Sequence, residues 1–398
     1  MKNKRQNQHE KFTGHSESLN TQEYYVIKTA EDLCAFREMV NAGNTEINGL
    51  LAADINLNPN LDPNIEADRA RCVQWTPIGY TNEARGKGHR SYKGTFNGNG
   101  HTISGLIIDK RFGNCWGLFG VISHSAVIHS LTVDGLIRCG NNGGGIAGYC
   151  CGIIENCTNK ASVYGSLSGG ICGKNSGIIK NSVNEGKVFG NFEIGGICGN
   201  NSGILYNCVN CNSVSGSESY IGGICGTNIK FDDDTFVGRG EVSYCTNKGE
   251  IIGKCCVGGI CGDSELGIGI HDCTNEGAVM GRMSTGGICG SALREDICFI
   301  DNCTNKGDVI GGKYTGGICG LSYKSYIRSC KNEGRINGGE HCGTIIGLIG
   351  RGHINDCSSA NDSGTETKSK NLSLISLFIS PKKTDDRGMR GERKIHGN

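Results

Sequence analysis

Apolar residues recur along this chain in short groups that are separated by glycine and asparagine. The clearest group is the tetrad Gly-Ile-Cys-Gly, which follows a further glycine and occurs six times between Gly169 and Gly320. Looser copies with Leu118, Ile146 and Ile345 at the apolar position flank those six, and consecutive copies are 25 to 36 residues apart. A period of this size indicates a solenoid, a propeller or another repeat array.

A second motif, Asn/Asp-Cys-x-Asn-x-Gly-x-Val, alternates with the first. Its cysteine position is occupied by Cys157, Ser182, Cys208, Cys245, Cys273, Cys303, Cys330 and Cys357. Its asparagine position is occupied by Asn159, Asn184, Asn210, Asn247, Asn275, Asn305 and Asn332, and then by Ser359. Identical residues on stacked coils form ladders, so we expect each asparagine amide to bond the next. We place this ladder at tight turns and expect it to tolerate left-handed backbone.

The repeat unit has the composition of short β-strands. Pieces such as 178–179 and 187–189 are broken every few residues by Gly, Asn or Ser, and no repeat holds a run of 10 to 12 helix formers. No proline occurs between Pro77 and Pro381, as expected where nearly every backbone N–H donates to a neighbouring strand. Three strands and three turns fit about 27 residues, so we predict an all-β, single-stranded parallel β-helix. The sequence does not decide whether the adjacent Ile and Cys side chains of the tetrad face the core or the solvent.

One segment has the pattern of a helix. Thr29 is a candidate N-cap, Gly43 a candidate stop, and apolar residues share one face between them, namely Leu33, Phe36, Met39 and Val40. This helix would cover the open end of the first coil. We therefore predict a disordered segment over 1–22, a capping helix region over 23–43, coils of about 25 to 30 residues over 44–360 and an irregular tail over 361–398.

Composition narrows the possible partners. The 398 residues include 66 Gly and 24 Cys, and 40 basic against 39 acidic residues leave a net charge of +1. Such a balance gives no positive electrostatic field that would attract nucleic acid. No apolar run reaches the roughly 20 residues that a membrane span needs. The N-terminal residues show no apolar segment of a signal peptide. The pattern leaves the oligomeric state open.

The cysteines have more than one interpretation. Thirteen of the 24 lie on the two motifs, where parallel Cβ vectors about 4.8 Å apart disfavour disulfides, so we expect buried thiols. The adjacent pairs Cys150–Cys151 and Cys255–Cys256 lack the Cys-x-x-Cys spacing of zinc sites, and Cys208 with Cys211 has that spacing once. We predict no metal site and no cofactor.

Three other groups could carry chemistry. The carboxylates of 232–234, in the longest repeat, could bind calcium or a sugar acid, although a solvated insertion is the simpler interpretation. His271 and Asp272 precede Cys273 as in a nucleophilic dyad, but that cysteine belongs to the ladder. Tyr220 and Tyr314 share one place before the tetrad, on what we expect to be an exposed, variable flank. We predict no catalytic residue.

The segments 75–79 (Trp-Thr-Pro-Ile-Gly), 94–103 and 117–120, followed by repeated Gly-Gly-Ile-Cys-Gly, resemble GLUG-motif repeat proteins, which are adhesin-like bacterial surface proteins. The resemblance covers roughly residues 25 to 360. It implies a right-handed β-helix exposed outside the cell. We therefore expect an extracellular or cell-surface scaffold, not an enzyme, that binds a glycan or protein ligand on its flank. The alternatives are a polysaccharide lyase or glycoside hydrolase, and an intracellular structural or interaction protein that stays in the cytoplasm.

Overall fold

The computed structural model describes residues 23–63, 65–80, 90–233, 236–264, 269–293 and 297–360. These residues form a parallel β-solenoid of about 11 turns, which confirms the predicted all-β coil. The segments 1–22 and 361–398, for which disorder and an irregular tail were predicted, lie outside the described residues.

A regular coil contains five short strands, two more than the three that the repeat length suggested. The extra strands arise because the regular coil bends at five places, and its strands are only two to five residues long. Equivalent strands of successive coils pair in parallel, and the resulting five stacks are called the first to fifth ladders, in chain order within a coil.

The first ladder begins at the tetrad cysteine in the regular coils. Its strands are Phe119–Ile122, Ala147–Cys150, Cys172–Asn175, Cys198–Asn201, Cys225–Asn228, Cys261–Ser264, Cys289–Ala292, Cys319–Arg328 and Ile346–Asn355. The two long strands Cys319–Arg328 and Ile346–Asn355 continue into the second ladder with their C-terminal halves. Its other strands are Tyr24–Ile27, Asn48–Leu51, Thr95–Asn97, Val127–His129, Ile153–Glu155, Ile178–Lys180, Ile204–Tyr206, Glu241–Ser243, Gly269–His271 and Cys298–Asp301.

The third ladder carries the asparagine motif. Its strands are Thr158–Asn159, Val183–Asn184, Val209–Asn210, Thr246–Asn247, Thr274–Asn275, Thr304–Asn305, Lys331–Asn332 and Ser358–Ser359. The fourth ladder follows with Ser162–Ser166, Val188–Gly190, Val214–Gly216, Ile251–Ile252, Val279–Met280, Val309–Ile310 and Ile336–Asn337. In the early coils three strands precede these two ladders, namely Ile55–Asn56, Thr102–Lys110 and Thr132–Asn141. The fifth ladder consists of Ser168–Gly169, Ile194–Gly195, Ser219–Gly222, Cys255–Gly258, Met283–Gly286, Lys313–Gly316 and Cys342–Gly343.

The tetrad makes a corner that turns two adjacent side chains into the core. The N–H groups of Ile171 and Cys172 both donate to the Ile197 carbonyl of the next coil, each at 3.0 Å. One acceptor therefore serves two consecutive residues, and the strict alternation of a strand is interrupted there. Both side chains are fully buried, and the same holds for the other Ile-Cys pairs of the tetrads. This corner settles the facing that the sequence left open.

The predicted asparagine ladder is present. Six hydrogen bonds of 2.8 Å join the seven buried amides from Asn159 to Asn332, each Nδ2 donating to the Oδ1 of the next coil. The expectation of left-handed backbone at these asparagines is wrong. They lie in extended strands, and the left-handed residue is found three positions earlier, as at Asn156 and Asn302. Each amide instead closes its corner by bonding the residue two positions later, for example Gly249.

The asparagine ladder explains why the second glycine of each repeat precedes Ile-Cys-Gly. In six coils, a Cβ placed on this glycine would lie 2.2 to 2.5 Å from the Cγ of the ladder asparagine. These pairs are Gly170 with Asn184, Gly196 with Asn210, Gly223 with Asn247, Gly259 with Asn275, Gly287 with Asn305, and Gly317 with Asn332. Real Cβ atoms do not approach so closely. The two sequence motifs are therefore the two sides of a single packing contact.

A second, shorter asparagine ladder was not predicted. Asn175 donates to Asn201 and Asn201 donates to Asn228, each at 2.8 Å, at the end of the first-ladder strands. Later coils place Ser264, Ala292 and Ser322 at the same position. The signal was an asparagine three residues after the tetrad cysteine, repeated in three consecutive coils.

The helix α1, Ala30–Ala42, begins after the N-cap Thr29 and ends at Gly43, as predicted. Leu33, Phe36 and Val40 are buried, whereas Met39 is only half-buried and does not share their environment. The Phe36 ring lies 5.6 Å from the Phe96 ring in the early coils. The helix therefore packs on the N-terminal end of the core, and a second helix of four residues, α2, spans Glu66–Arg69.

Candidate functional site

A column of outward-facing side chains runs along the fourth ladder. In the fourth-ladder strands up to Val309–Ile310, the first valine or isoleucine is buried in the core, so the next residue faces solvent. Successive coils place these outward residues in register, in the order Arg138, Tyr164, Phe189, Ser215, Ile252, Met280 and Ile310. We call this set the outward column.

Two aromatic rings stack in this column. The rings of Tyr164 and Phe189 lie 5.1 Å apart between centroids and are tilted by only 13°. Their separation follows from the spacing of parallel strands, which brings equivalent side chains into face-to-face contact. The Arg138 guanidinium carbon lies 5.9 Å from the Tyr164 centroid on the preceding coil, within the range of a cation–π contact. Tyr164 remains 38% exposed, so this stack is a platform open to solvent.

The platform borders a groove of about 430 Å³. Its lining residues are Asp109, Arg111, Arg138, Cys139, Gly140, Tyr164, Gly165, Ser166, Phe189, Gly190 and Asn191. Glycine is required in its floor, because a Cβ at Gly190 would lie 1.9 Å from the Gly165 carbonyl oxygen. The concave shape therefore comes largely from the backbone of glycines, beside the two stacked aromatic rings.

The charges of the groove suit an anionic or polar ligand. Two arginines, Arg111 and Arg138, face one acidic residue, Asp109, among the lining residues. Burial raises the pKa of Cys139, also in the wall, to about 12. This thiol therefore remains neutral and is unsuited to act as a nucleophile. The lining residues also include a single carboxylate, whereas most glycosidases use a pair of carboxyl groups. Stacking surfaces, guanidinium groups and amide donors are suited to holding a ligand.

The sequence did not identify this groove. Tyr164 and Phe189 are 25 residues apart, which is one coil, and both follow the core valine of the fourth ladder. That equivalence was a usable signal. It was missed because only the glycine and asparagine motifs were aligned, and the residue after valine varies from coil to coil.

The possible dyad is not assembled. His271 Nδ1 lies 3.4 Å from the carboxylate of Asp301, which also binds Arg328 through two bonds of 2.8 Å. Cys273 is fully buried, and its thiol donates to the carbonyls of Val242 and His271. Burial raises the pKa of Cys273 well above its usual value. This cysteine is part of the core ladder, as the simpler interpretation held.

The tyrosine position before the tetrad is less exposed than expected. Tyr220 and Tyr314 are half-buried, and the equivalent residues Cys256 and Ser284 are buried. All of them have left-handed backbone, with φ between 54° and 67°. At the equivalent Glu193, the side chain accepts hydrogen bonds from Asn200 and Thr227, so it lies against the first ladder. The position is thus a corner packed on the neighbouring ladder, and the expectation of an exposed flank is wrong there.

The remaining candidates are dispersed. All 24 cysteines lie among the described residues, and none of them is paired in a disulfide. Cys208 is buried while Cys211 is exposed, so they do not converge. The longest repeat holds a two-stranded antiparallel hairpin, Lys230–Asp233 with Phe236–Arg239. The side chains of its carboxylates, 232–234, lie outside the described part of the structure.

Within the described ranges, no group of three or more His, Cys, Asp or Glu side chains is placed to hold a metal ion. Neither helix found in those ranges has the length and apolarity that crossing a membrane requires.

Comparisons with known proteins give partial similarities. No family model matches the chain. Over 104 residues, 26% of the chain, it is 35% identical to halomucin from Haloquadratum walsbyi. Over 111 residues, 28% of the chain, it is 35% identical to a protein from Evansella cellulosilytica provisionally named a Gly-rich membrane protein. The matched segments span only 1% and 11% of the lengths of these two relatives.

One solved structure is also similar, a crystal structure of a provisionally named immunoglobulin A1 protease from Bacteroides ovatus. The alignment covers 85% of this chain and 76% of that chain, with 18% identity and a TM-score of 0.37.

Proposed function

We propose that this chain is an adhesin-like repeat scaffold of the GLUG-motif class that acts at the cell surface or outside the cell and binds a glycan. The groove beside Tyr164 and Phe189 is the observation that carries this proposal. The names of the two partial relatives, a halomucin and a Gly-rich membrane protein, support the location. The solenoid acts as a rigid support, and binding rather than catalysis is its role.

The groove has the three properties that a sugar ring requires. Aromatic rings offer an apolar surface for the C–H side of the sugar, and Tyr164 and Phe189 provide two such rings, stacked in parallel planes beside the groove. Arg138 and Asn191 offer hydrogen-bond donors for hydroxyl or carboxylate oxygens. The volume of about 430 Å³ is within the range of small-molecule sites. The excess of arginine over aspartate favours acidic sugars.

A protein ligand is the second candidate, and the later part of the outward column favours it. Ile252 and Ile310 are 40% and 44% exposed, and half-buried Met280 lies between them. Apolar side chains lined up on a rigid flank are typical of a contact surface. A protein ligand would be bound here, two to four coils beyond the groove.

Glycan-array binding by the purified chain tests the first candidate. The double variant Tyr164→Ala, Phe189→Ala is expected to lose about tenfold or more in affinity, which corresponds to about 1.4 kcal/mol. A matched control is Tyr206→Ala, Tyr244→Ala, because these rings are also exposed and in contact, 5.4 Å apart. The control pair lies at the second ladder and its removal should leave glycan binding unchanged.

Equal binding by wild type and the groove variant, with both variants folded by circular dichroism, would rule out the groove. Equal losses in the two variants would mean that the effect is on stability. Assaying the same glycans for new reducing or unsaturated ends separates binding from cleavage. Ends that accumulate with wild type would favour the carbohydrate-active enzyme instead.

A further inference from the structure

The adjacent residues Cys255 and Cys256 bring their thiols into contact. Their sulfur atoms are 3.5 Å apart. In an extended strand, neighbouring side chains point to opposite faces, so two consecutive cysteines should hold their sulfurs apart. The exception arises at Cys256, whose φ is +54°. Left-handed backbone breaks the alternation and turns both thiols to one side.

The coil imposes this conformation. The equivalent residues of neighbouring coils, Tyr220 and Ser284, have φ of 67° and 54° without any second cysteine beside them. Parallel pairing fixes the backbone on both sides, since Cys255 is in register with Ser219 and Val257 with Ile221. Left-handed backbone is unfavourable for a residue with a side chain, and the pairing of the stacked coils offsets this cost. The dithiol is therefore held in place before any reaction.

The two thiols have different environments. Cys255 is half-buried, whereas Cys256 is only 6% exposed. The hydrogen bond from the Cys256 thiol lowers the pKa of Cys255 to about 7, with help from Ser219 and Lys254. The same bond and burial raise the pKa of Cys256. One sulfur is thus available as a thiolate nucleophile and the other remains a neutral thiol beside it.

We propose that Cys255 and Cys256 form a redox modification site that closes to a disulfide between adjacent residues. The oxidant is a low-molecular-weight disulfide. The Cys255 thiolate attacks one of its sulfurs, the S–S bond breaks, and one thiolate leaves. Cys256 then loses its proton to solvent and attacks the Cys255 sulfur, and the second thiolate leaves. The protein gives up two electrons and two protons, and the oxidant becomes two thiols.

This disulfide is expected to be easily reversed. Consecutive Cα atoms are about 3.8 Å apart, below the 4.4 to 6.8 Å that disulfides usually span. The strain makes the bond more reducible, so the site is suited to reporting the redox state around the protein. The buried cysteine ladders do not share this property, because their thiols lie on separate coils and are closed off from oxidants.

The chain contains its own control. Cys150 and Cys151 are also consecutive, but neither has left-handed backbone. Cys150 is fully buried, and its thiol is directed to the Gly152 carbonyl at 3.5 Å. Burial raises the pKa of both thiols. Each pair holds one buried and one half-buried thiol, so sequence adjacency and exposure class are the same in the two pairs and the backbone geometry differs.

The test exposes the folded full chain to buffers of graded reduced and oxidised glutathione, followed by alkylation, denaturation and peptide mass spectrometry. We expect the peptide with Cys255 and Cys256 to lose two hydrogen atoms and to escape alkylation, reversibly with dithiothreitol. The peptide with Cys150 and Cys151 should remain a dithiol. Cys256→Ser should stop at a glutathione adduct on Cys255, and Cys255→Ser should form no adduct at Cys256.

Three results would overturn the proposal. The first is a dithiol at Cys255–Cys256 that persists in the most oxidising buffer. The second is equal oxidation of the control pair Cys150–Cys151. The third is a folded Cys256→Ser variant that accumulates no adduct on Cys255, because the first step would then be absent.

Discussion

Replacing Asn247 with alanine removes the amide that connects three consecutive coils. Its Nδ2 donates to the Gly249 carbonyl and to Asn275 Oδ1, both at 2.8 Å. Its Oδ1 accepts from Asn210 Nδ2 at 2.8 Å and from the Gly249 N–H at 3.2 Å. The side chain is fully buried, so water does not replace these partners. Four hydrogen bonds at about 1 kcal/mol each predict a loss of about 4 kcal/mol in the free energy of unfolding.

Equilibrium urea unfolding measures this loss, and Asn337→Ala is the matched control because Asn337 is exposed on the fourth ladder. The control should change stability by no more than about 0.5 kcal/mol. In a solenoid each coil contacts only its neighbours, so amide hydrogen exchange should accelerate first in the coils around Asn247. A loss below about 1 kcal/mol, or one equal to that of Asn337→Ala, would refute the structural role of the ladder.

Two further predictions follow from the packing and the helix cap. Gly223→Ala should destabilise the chain by several kcal/mol in the same urea assay, because its Cβ would lie 2.4 Å from Asn247 Cγ and 2.1 Å from the Gly259 carbonyl oxygen. A cost under about 1 kcal/mol would contradict this contact. The backbone N–H of Lys28 lowers the pKa of the Asp32 carboxyl below 3.8, so its stabilising effect is present above that value and lost as the pH falls through the lower folded-state pKa. Thermal midpoints from pH 6 to pH 2 should show this fall in wild type and a smaller one in Asp32→Asn, and identical pH profiles would exclude the cap.

Much of the fold could be predicted because stacking converts a repeat in sequence into a repeat in space. The seven asparagines were recognised by their constant distance from cysteine, and the structure places them in one hydrogen-bonded column. The helix α1 was predicted from Thr29 and Gly43, whose roles at its ends are local. In each case the relevant partner is either nearby in sequence or one period away.

The candidate site was harder to predict, since it depends on which side chains differ between coils. Tyr164 and Phe189 occupy a position that also holds Arg138, Ser215 and Ile252, so no motif marks it. The groove forms only where two aromatic rings and adjacent glycines happen to follow one another along the axis. The prediction that Tyr220 lies on an exposed flank was wrong because its left-handed backbone cannot be inferred from its residue type.

The sequence by itself determined the period, the all-β character of the coils, the asparagine ladder and the helix at the N-terminal end. These properties depend on side-chain type and spacing, and both can be read directly from the amino-acid sequence. Only the tertiary structure decided the five-strand coil, the inward facing of both Ile171 and Cys172, and the contact between Cys255 and Cys256. All three depend on backbone torsions at corners, which hydrogen bonds from the neighbouring coils impose.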